Sequence, residues 1–280
     1  MKVTLADYSG FCFGVEKAIT TTFEELDHKD KSQKIFSLGP LIHNVQVVKE
    51  LEERGVMVTE DIGSIQEGSV IIRSHGVPKS VYETADKMTL TLIDATCPFV
   101  KRIQTIVEEY YKKGYAIAII GNPQHPEVIG INGWCDNKAL IIQEEKEVEN
   151  VPDVDKLCIV VQTTMSIAQF EKISAVLEKK ARLVTKFNTI CSATKQRQKA
   201  AKDLAEKVDA MIVIGGYHSS NTQKLVSICN DIRPEATFHV ETSKDLPVEA
   251  LKQYDLVGVT AGASTPKWVI NEIIQKLRNI

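Results

Sequence analysis

The stretch LTLIDATCPFVKR at residues 90–102, continued by AIAIIGNPQHPEVIGI at residues 116–131, decides how this chain is read. It gives a short apolar strand ending in a cysteine, then a helix, then a second apolar strand, a glycine and a polar loop that opens another helix. Val100, Ile103, Val107 and Tyr110 after Cys97 keep helical spacing, whereas the runs before Cys97 and Gly121 are too short and too aliphatic for anything but buried strands. Strands alternating with helices in this way predict an α/β protein with mainly parallel sheets.

The same elements recur on both sides. Cysteine-bearing segments are VTLADYSGFCFGVEKA around Cys12 and LVTKFNTICSATKQRQ around Cys191, and basic residues Lys17, Lys101 and Lys195 follow the three cysteines. The strand-glycine-loop element returns as IFSLGPLIHNVQVV with His43 and Asn44, and as MIVIGGYHSSNTQKLV with His218, Ser219, Ser220 and Asn221. A third element carries acidic turns in VMVTEDI, ALIIQEEKE and TFHVETSKD. A fourth places Ser74 and His75, Thr163 and Thr164, or Ser264 after a strand. From cysteine to second loop the offsets are 31, 28 and 28 residues, which aligns the copies. Three related α/β domains are therefore expected at 1–95, 96–190 and 191–280. Loops at the carboxyl ends of parallel strands form ligand sites. A pseudo-threefold arrangement of the domains would gather three cysteines and these polar loops at its centre.

Composition removes other classes. Hydrophobic residues at 43% and charged residues at 25% are globular values, so disorder and coiled coil are disfavoured. The longest apolar run, Tyr115 to Ile120, is far too short to span a bilayer. Residues 1–10 lack the features of a signal peptide, which makes the cytoplasm the expected location. A net charge of -3 gives no electrostatic reason to expect nucleic acid. Six cysteines without C-x-x-C spacing argue against disulfides and zinc ribbons.

Thiolates select iron-sulfur clusters, zinc or copper(I). Three cysteines with one vacant position describe a cubane cluster that keeps one iron open. A single cysteine is more often a small buried hydrophobe, and Cys135, Cys158 and Cys229 fit that description. Cys12, Cys97 and Cys191 differ by sharing one place in the repeat. Ser, Thr and Asn at the loops suit an anion at helix starts, or equally the capping of those helices. Capping does not call for His43, His75 and His125, each of which could donate to a phosphate. His28 and His239 read as surface residues. Glu127 is either a general acid with a raised pKa or a first-turn glutamate favoured by the helix dipole.

GFCFGV, SHG, DATCP, HPE, QTT, SSN and TAGAS occur in this order from Gly10 to Pro266, and together they resemble the LytB/IspH family of 4-hydroxy-3-methylbut-2-enyl diphosphate reductases. The resemblance implies three α/β domains around a central 4Fe-4S cluster, one per chain, with Cys12, Cys97 and Cys191 as ligands and one iron open. It implies a substrate pocket of His43, His75, His125, Thr163, Ser219, Ser220, Asn221 and Ser264, with Glu127 and Thr163 catalytic. The implied reaction is reductive dehydroxylation of the allylic diphosphate to isopentenyl and dimethylallyl diphosphate, the last step of the non-mevalonate pathway. It further implies no additional C-terminal RNA-binding domain, and an external electron donor such as ferredoxin or flavodoxin, because no G-x-G-x-x-G motif appears. Two other classes are compatible with cysteines alone. An iron-sulfur redox sensor would have no use for Glu127, and a zinc hydrolase would show closely spaced ligand pairs.

Overall fold

A computed structural model describes residues 1–28, 33–88 and 90–280. The chain begins with β1 (Lys2–Leu5), α1 (Phe13–His28), β2 (Ile35–Leu38), α2 (Val45–Glu53), β3 (Val56–Thr59), β4 (Gly68–Ile72), α3 (Lys79–Asp86) and β5 (Leu90–Asp94). It continues with α4 (Pro98–Lys112), β6 (Ala116–Ile120), α5 (Pro126–Asn132), β7 (Leu140–Ile142), β8 (Val154–Val161), α6 (Ile167–Leu177) and β9 (Ala181–Lys186). The last part holds α7 (Ser192–Ala205), β10 (Ala210–Ile214), α8 (Ser220–Ile232), β11 (Thr237–Val240), α9 (Val248–Leu251), β12 (Leu256–Ala261) and α10 (Lys267–Arg278).

Among the described residues the strands form three sheets of four, and every pairing is parallel. The orders are β3-β2-β4-β5, β7-β6-β8-β9 and β11-β10-β12-β1, which is one order used three times. Central strands such as β10 are buried along their whole length, as a parallel sheet covered by helices requires.

The chain divides into two units. One comprises Lys17–Ile42 and Glu50–Cys191 and contains the first two sheets. In it Ile117, Ile119, Val128 and Ile131 pack with Ile103 and Val107 of α4, so the helix predicted after Cys97 buries its predicted stripe. The other unit comprises Met1–Glu16, His43–Lys49 and Ser192–Ile280, and contains the third sheet. There Val257 and Val259 of β12 pack with Val269, Ile273 and Leu277 of α10.

Strand β1 departs from chain order. Lys2, Val3, Thr4 and Leu5 pair with Leu256, Val257, Gly258 and Val259, so the first strand completes the last sheet. Its counterparts β5 and β9 complete the sheets that precede Cys97 and Cys191. The strand leading into each cysteine therefore ends one α/β set rather than beginning the next. Residues 1–5, expected in a domain with residues up to 95, hydrogen-bond instead with residues 256–259.

On α7, the helix after the third cysteine, Thr194, Arg197, Ala201 and Ala205 face inward, so its buried side includes an arginine.

Candidate functional site

In the unit that contains Cys97 and Cys191, one run of contacts joins the loops at the carboxyl ends of the strands. Cys97 is the N-cap of α4, and its N–H donates to Ser74 O at 3.0 Å. Ser74 and His75 form the turn after β4, closed by Gly76 at φ +71°. The left-handed φ of Gly76 favours glycine, and a Cβ there would also push on the Gln104 side chain of α4, 2.5 Å from its Nε2. The His75 ring meets the His125 ring edge-on, with centroids 5.5 Å apart.

His125 is the N-cap of α5. Its Nδ1 accepts from the Glu127 N–H at 3.2 Å, which leaves Nε2 as the donor. Glu127 is 2% exposed. Its two oxygens accept from Thr163, Oε1 from the N–H at 2.7 Å and Oε2 from the hydroxyl at 2.6 Å. Burial drives the Glu127 pKa up to about 7, and the two bonds from Thr163 pull only partly the other way. Thr163 O in turn accepts from the Cys191 N–H at 3.2 Å.

Two residues missed in the sequence hold this run in place. Gln162 is fully buried. Its Oε1 accepts from Asn122 N at 3.0 Å and its Nε2 donates to Thr164 Oγ1 at 2.8 Å, pinning the HPE loop to the QTT loop. The Thr189 hydroxyl accepts from Val161 N at 2.9 Å and donates to Val161 O, pinning the segment before Cys191 to the end of β8. Membership of the QTT motif for Gln162, and a place two residues before the cysteine for Thr189, were the only signals.

The other unit has a matching run. The Cys12 N–H donates to Ala263 O at 3.1 Å, next to Ser264, whose hydroxyl donates to His43 O at 3.0 Å. A Cβ on Gly216 would lie 2.9 Å from the same His43 carbonyl. Ser219 caps α8, accepting from Thr222 N at 3.3 Å, so for this residue the capping alternative is realised. Asn221 is 5% exposed, and its Nδ2 has no hydrogen-bond partner among the described residues. A buried amide donor of that kind is costly unless something else occupies it. Ser220 is half-buried and His218 exposed. Arg197, 5% exposed, donates to Gly10 O at 2.6 Å and so fixes the loop that leads to Cys12.

Two histidines lie outside these runs. His28 is exposed and bonds to Glu24 O. His239, expected on the surface, is half-buried with Nε2 2.8 Å from Gly215 O and its ring against Tyr217, which makes it a support for the loop after β10.

The cysteines fall into two groups. Cys12, Cys97 and Cys191 are partly exposed and in no disulfide, each with its backbone N–H held by the loop after a neighbouring strand. Cys135, Cys158 and Cys229 are buried in apolar cores, where burial pushes the first up to about 11 and the other two up to about 12. Buried thiols of that kind are poor metal ligands. The accessible trio has the soft donor chemistry that an iron-sulfur cluster needs.

Comparison with known proteins shows the family. The family model described as LytB protein matches residues 3–278. The chain belongs to the LytB family. A 4-hydroxy-3-methylbut-2-enyl diphosphate reductase of Alkaliphilus oremlandii is 60% identical over 280 residues, covering all of both chains. One from Caldanaerobacter subterraneus subsp. tengcongensis is 50% identical, covering all of this chain and 98% of its own. Among solved structures, the Plasmodium falciparum reductase superposes with a TM-score of 0.90 at 31% identity, covering 98% of this chain and 87% of that one. A second solved reductase, described as the terminal enzyme of the non-mevalonate pathway, gives 0.73 at 36% identity over the full length of both. Among the described residues no helix is long and apolar enough to cross a membrane.

Proposed function

We propose that the chain reduces (E)-4-hydroxy-3-methylbut-2-enyl diphosphate to isopentenyl and dimethylallyl diphosphate in the cytoplasm. Family membership supports the substrate, and the buried Glu127–Thr163 pair is the observation that carries the chemistry. The reaction takes up two electrons and two protons, breaks the allylic carbon–oxygen bond and releases water. A 4Fe-4S cluster on Cys12, Cys97 and Cys191, with one iron open, would supply electrons singly and polarise the departing oxygen.

Hydroxide is a poor leaving group, so a proton must arrive as the bond breaks. Glu127, with a pKa of about 7, is half protonated at neutral pH, where a general acid works best. When its carboxyl carries the proton on Oε2, the hydrogen bond to Thr163 Oγ1 reverses. The threonine hydroxyl is then free to turn its own proton toward the substrate. Thr163 thus orients the hydroxyl and relays the proton.

His43, His75, Ser219, Asn221 and Ser264 hold the diphosphate, and His125 and Ser220 complete the shell. The His125 Nε2 donor and the Asn221 Nδ2 donor support this assignment. Electrons come from an external one-electron carrier such as a ferredoxin or flavodoxin. The reading is tested by anaerobic reconstitution with iron and sulfide, followed by turnover of the diphosphate with a reduced viologen dye. Both C5 diphosphates are expected, and a reconstituted chain that releases neither refutes it.

A further inference from the structure

The basic residues Lys17, Lys101 and Lys195 that follow the three cysteines have no part in the proposed reaction, and one of them is placed differently from the others. Lys101, one turn into α4 from Cys97, lays its Nζ 2.6 Å from Asp94 Oδ2. Lys17 and Lys195 have no ion-pair partner among the described residues.

Asp94 ends β5, three residues before Cys97, and its carboxylate takes donors from three elements. Oδ1 accepts from Thr96 N at 3.0 Å, an Asx turn that leads directly into Cys97. Oδ2 accepts from the Tyr82 hydroxyl of α3 at 3.0 Å as well as from Lys101. Tyr82 is itself anchored: its ring meets Trp134 edge-on with centroids 5.8 Å apart, and the Trp134 indole N–H donates to Val77 O at 3.1 Å. Burial alone would push the Asp94 carboxyl up, but Lys101 and Thr96 outweigh it and hold the group below the usual carboxylate range, so it is ionised at neutral pH.

The N–H groups of three successive residues are thereby fixed, Ala95 on Ile72 O at 3.1 Å, Thr96 on Asp94 and Cys97 on Ser74 O at 3.0 Å. The turn before Cys191 is built in the same way by a neutral residue, with Asn188 Oδ1 accepting from Ile190 N at 3.2 Å. Before Cys12 the equivalent Ser9 donates to Ala6 O at 2.8 Å instead. One position of the repeat thus carries serine, aspartate and asparagine, and only the aspartate brings a charge pair to the cysteine turn. Asn188 shows that the turn itself needs no charge. Folding gains little from it either, because the Lys101 side chain is 49% exposed and pairs of that kind are weak.

We propose that Asp94 is a positioning residue for the Cys97 ligand, and that its ion pair with Lys101 sets the reduction potential of the cluster. The proposal rests on the reading of Cys12, Cys97 and Cys191 as cluster ligands. Groups that orient a ligand from behind govern how firmly the metal is held, and the net charge around an iron-sulfur cluster tunes its potential. An ammonium without its carboxylate favours the reduced, more negative cluster, and a carboxylate without its ammonium opposes it.

The test uses the reconstituted full-length chain, with iron release to a chelator, the reduction potential and Tm as readouts. Asp94→Asn keeps the turn and removes the charge, as at Asn188, so it should release iron at the wild-type rate and raise the potential. Lys101→Met leaves the carboxylate unpaired and should lower the potential, and the double variant should return it to the wild-type value. Asp94→Ala removes the turn as well and should release iron about ten- to a hundredfold faster than Asp94→Asn. Wild-type iron release from a folded Asp94→Ala chain overturns the positioning role, and Tm separates loss of iron from loss of fold. Potentials that move in the same direction in Asp94→Asn and Lys101→Met, or that do not move, overturn the charge role even if Asp94→Ala does not fold. A wild-type chain that takes up no cluster overturns the ligand reading instead.

Discussion

The HPE loop after β6 and the SSN loop after β10 leave corresponding strands of two sheets and open corresponding helices, yet they are finished differently. His125 and Glu127 are closed on protein partners: the imidazole accepts from the Glu127 N–H, and the carboxyl accepts twice from Thr163. Ser219 likewise accepts from its own helix, but Asn221 Nδ2 is buried with no hydrogen-bond partner among the described residues. In the proposed reading one loop stores a proton and the other receives an anion. Equivalent positions in a repeat thus diverge by which hydrogen bonds the protein completes for itself.

The severest test of this contrast is whether the two units share one metal requirement despite their different loops. Cys12→Ser in one and Cys97→Ser or Cys191→Ser in the other should each remove most of the iron, whereas Cys135→Ser, Cys158→Ser and Cys229→Ser keep it. Iron analysis with the visible spectrum reads the result. Full iron in any member of the first trio would strike that residue from the ligand set.

Next in size is the proton loop. Glu127→Gln should lower kcat by about a hundred- to ten-thousand-fold with substrate affinity preserved, because an amide cannot deliver a proton. In the wild type, kcat should fall as pH rises through about 7, where the acid form of Glu127 is lost. That limb should vanish from the residual activity of the variant. A loss confined to affinity would turn Glu127 into a binding residue and erase the contrast.

The anion loop should respond in the opposite parameter. Asn221→Ala, and with it His43→Ala and His75→Ala, should weaken substrate binding by roughly ten- to a hundredfold, the worth of one hydrogen bond to a charged group. The cluster spectrum should not change, and inorganic diphosphate should compete. Unchanged dissociation constants in all three would show that these loops serve only to cap helices.

The smallest effect separates capping from binding within one loop. Ser219→Ala removes the cap of α8 and should lower stability by about 1 kcal/mol in a thermal melt, whatever happens to substrate. No change in Tm would mean that Ser219 contributes to the ligand alone.

Much of this was legible in the sequence because the chemistry is local. The cysteine turns, the HPE and QTT loops and the strand-glycine-helix rhythm are all written within a dozen residues, and each appears where its spacing placed it. What escaped was carried by long-range pairing. Which sheet receives an edge strand of four residues is not encoded in those residues, so Lys2–Leu5 was placed with its chain neighbours rather than beside β12. Nothing near Arg197 in the sequence signals its role, because the carbonyl it serves at Gly10 lies 187 positions away. Gln162 and Thr189 are ordinary polar residues until the loops they join are brought together.

The pairing of β1 with β12 also has a temporal side. Lys2 finds its partner Leu256 only after about 250 further residues have been made. At typical rates of about 5–20 residues per second, the ribosome leaves the first strand without its neighbour for on the order of ten to fifty seconds. Throughout that interval Cys12 lacks the Ala263 carbonyl that fixes its turn, while Cys97 and Cys191 meet their loops as soon as the middle of the chain emerges. Two of the three thiols are thus in place early and the first-made one is in place last. A cofactor that depends on all three would find the turn at Cys12 fixed only once residues 256–263 have been made.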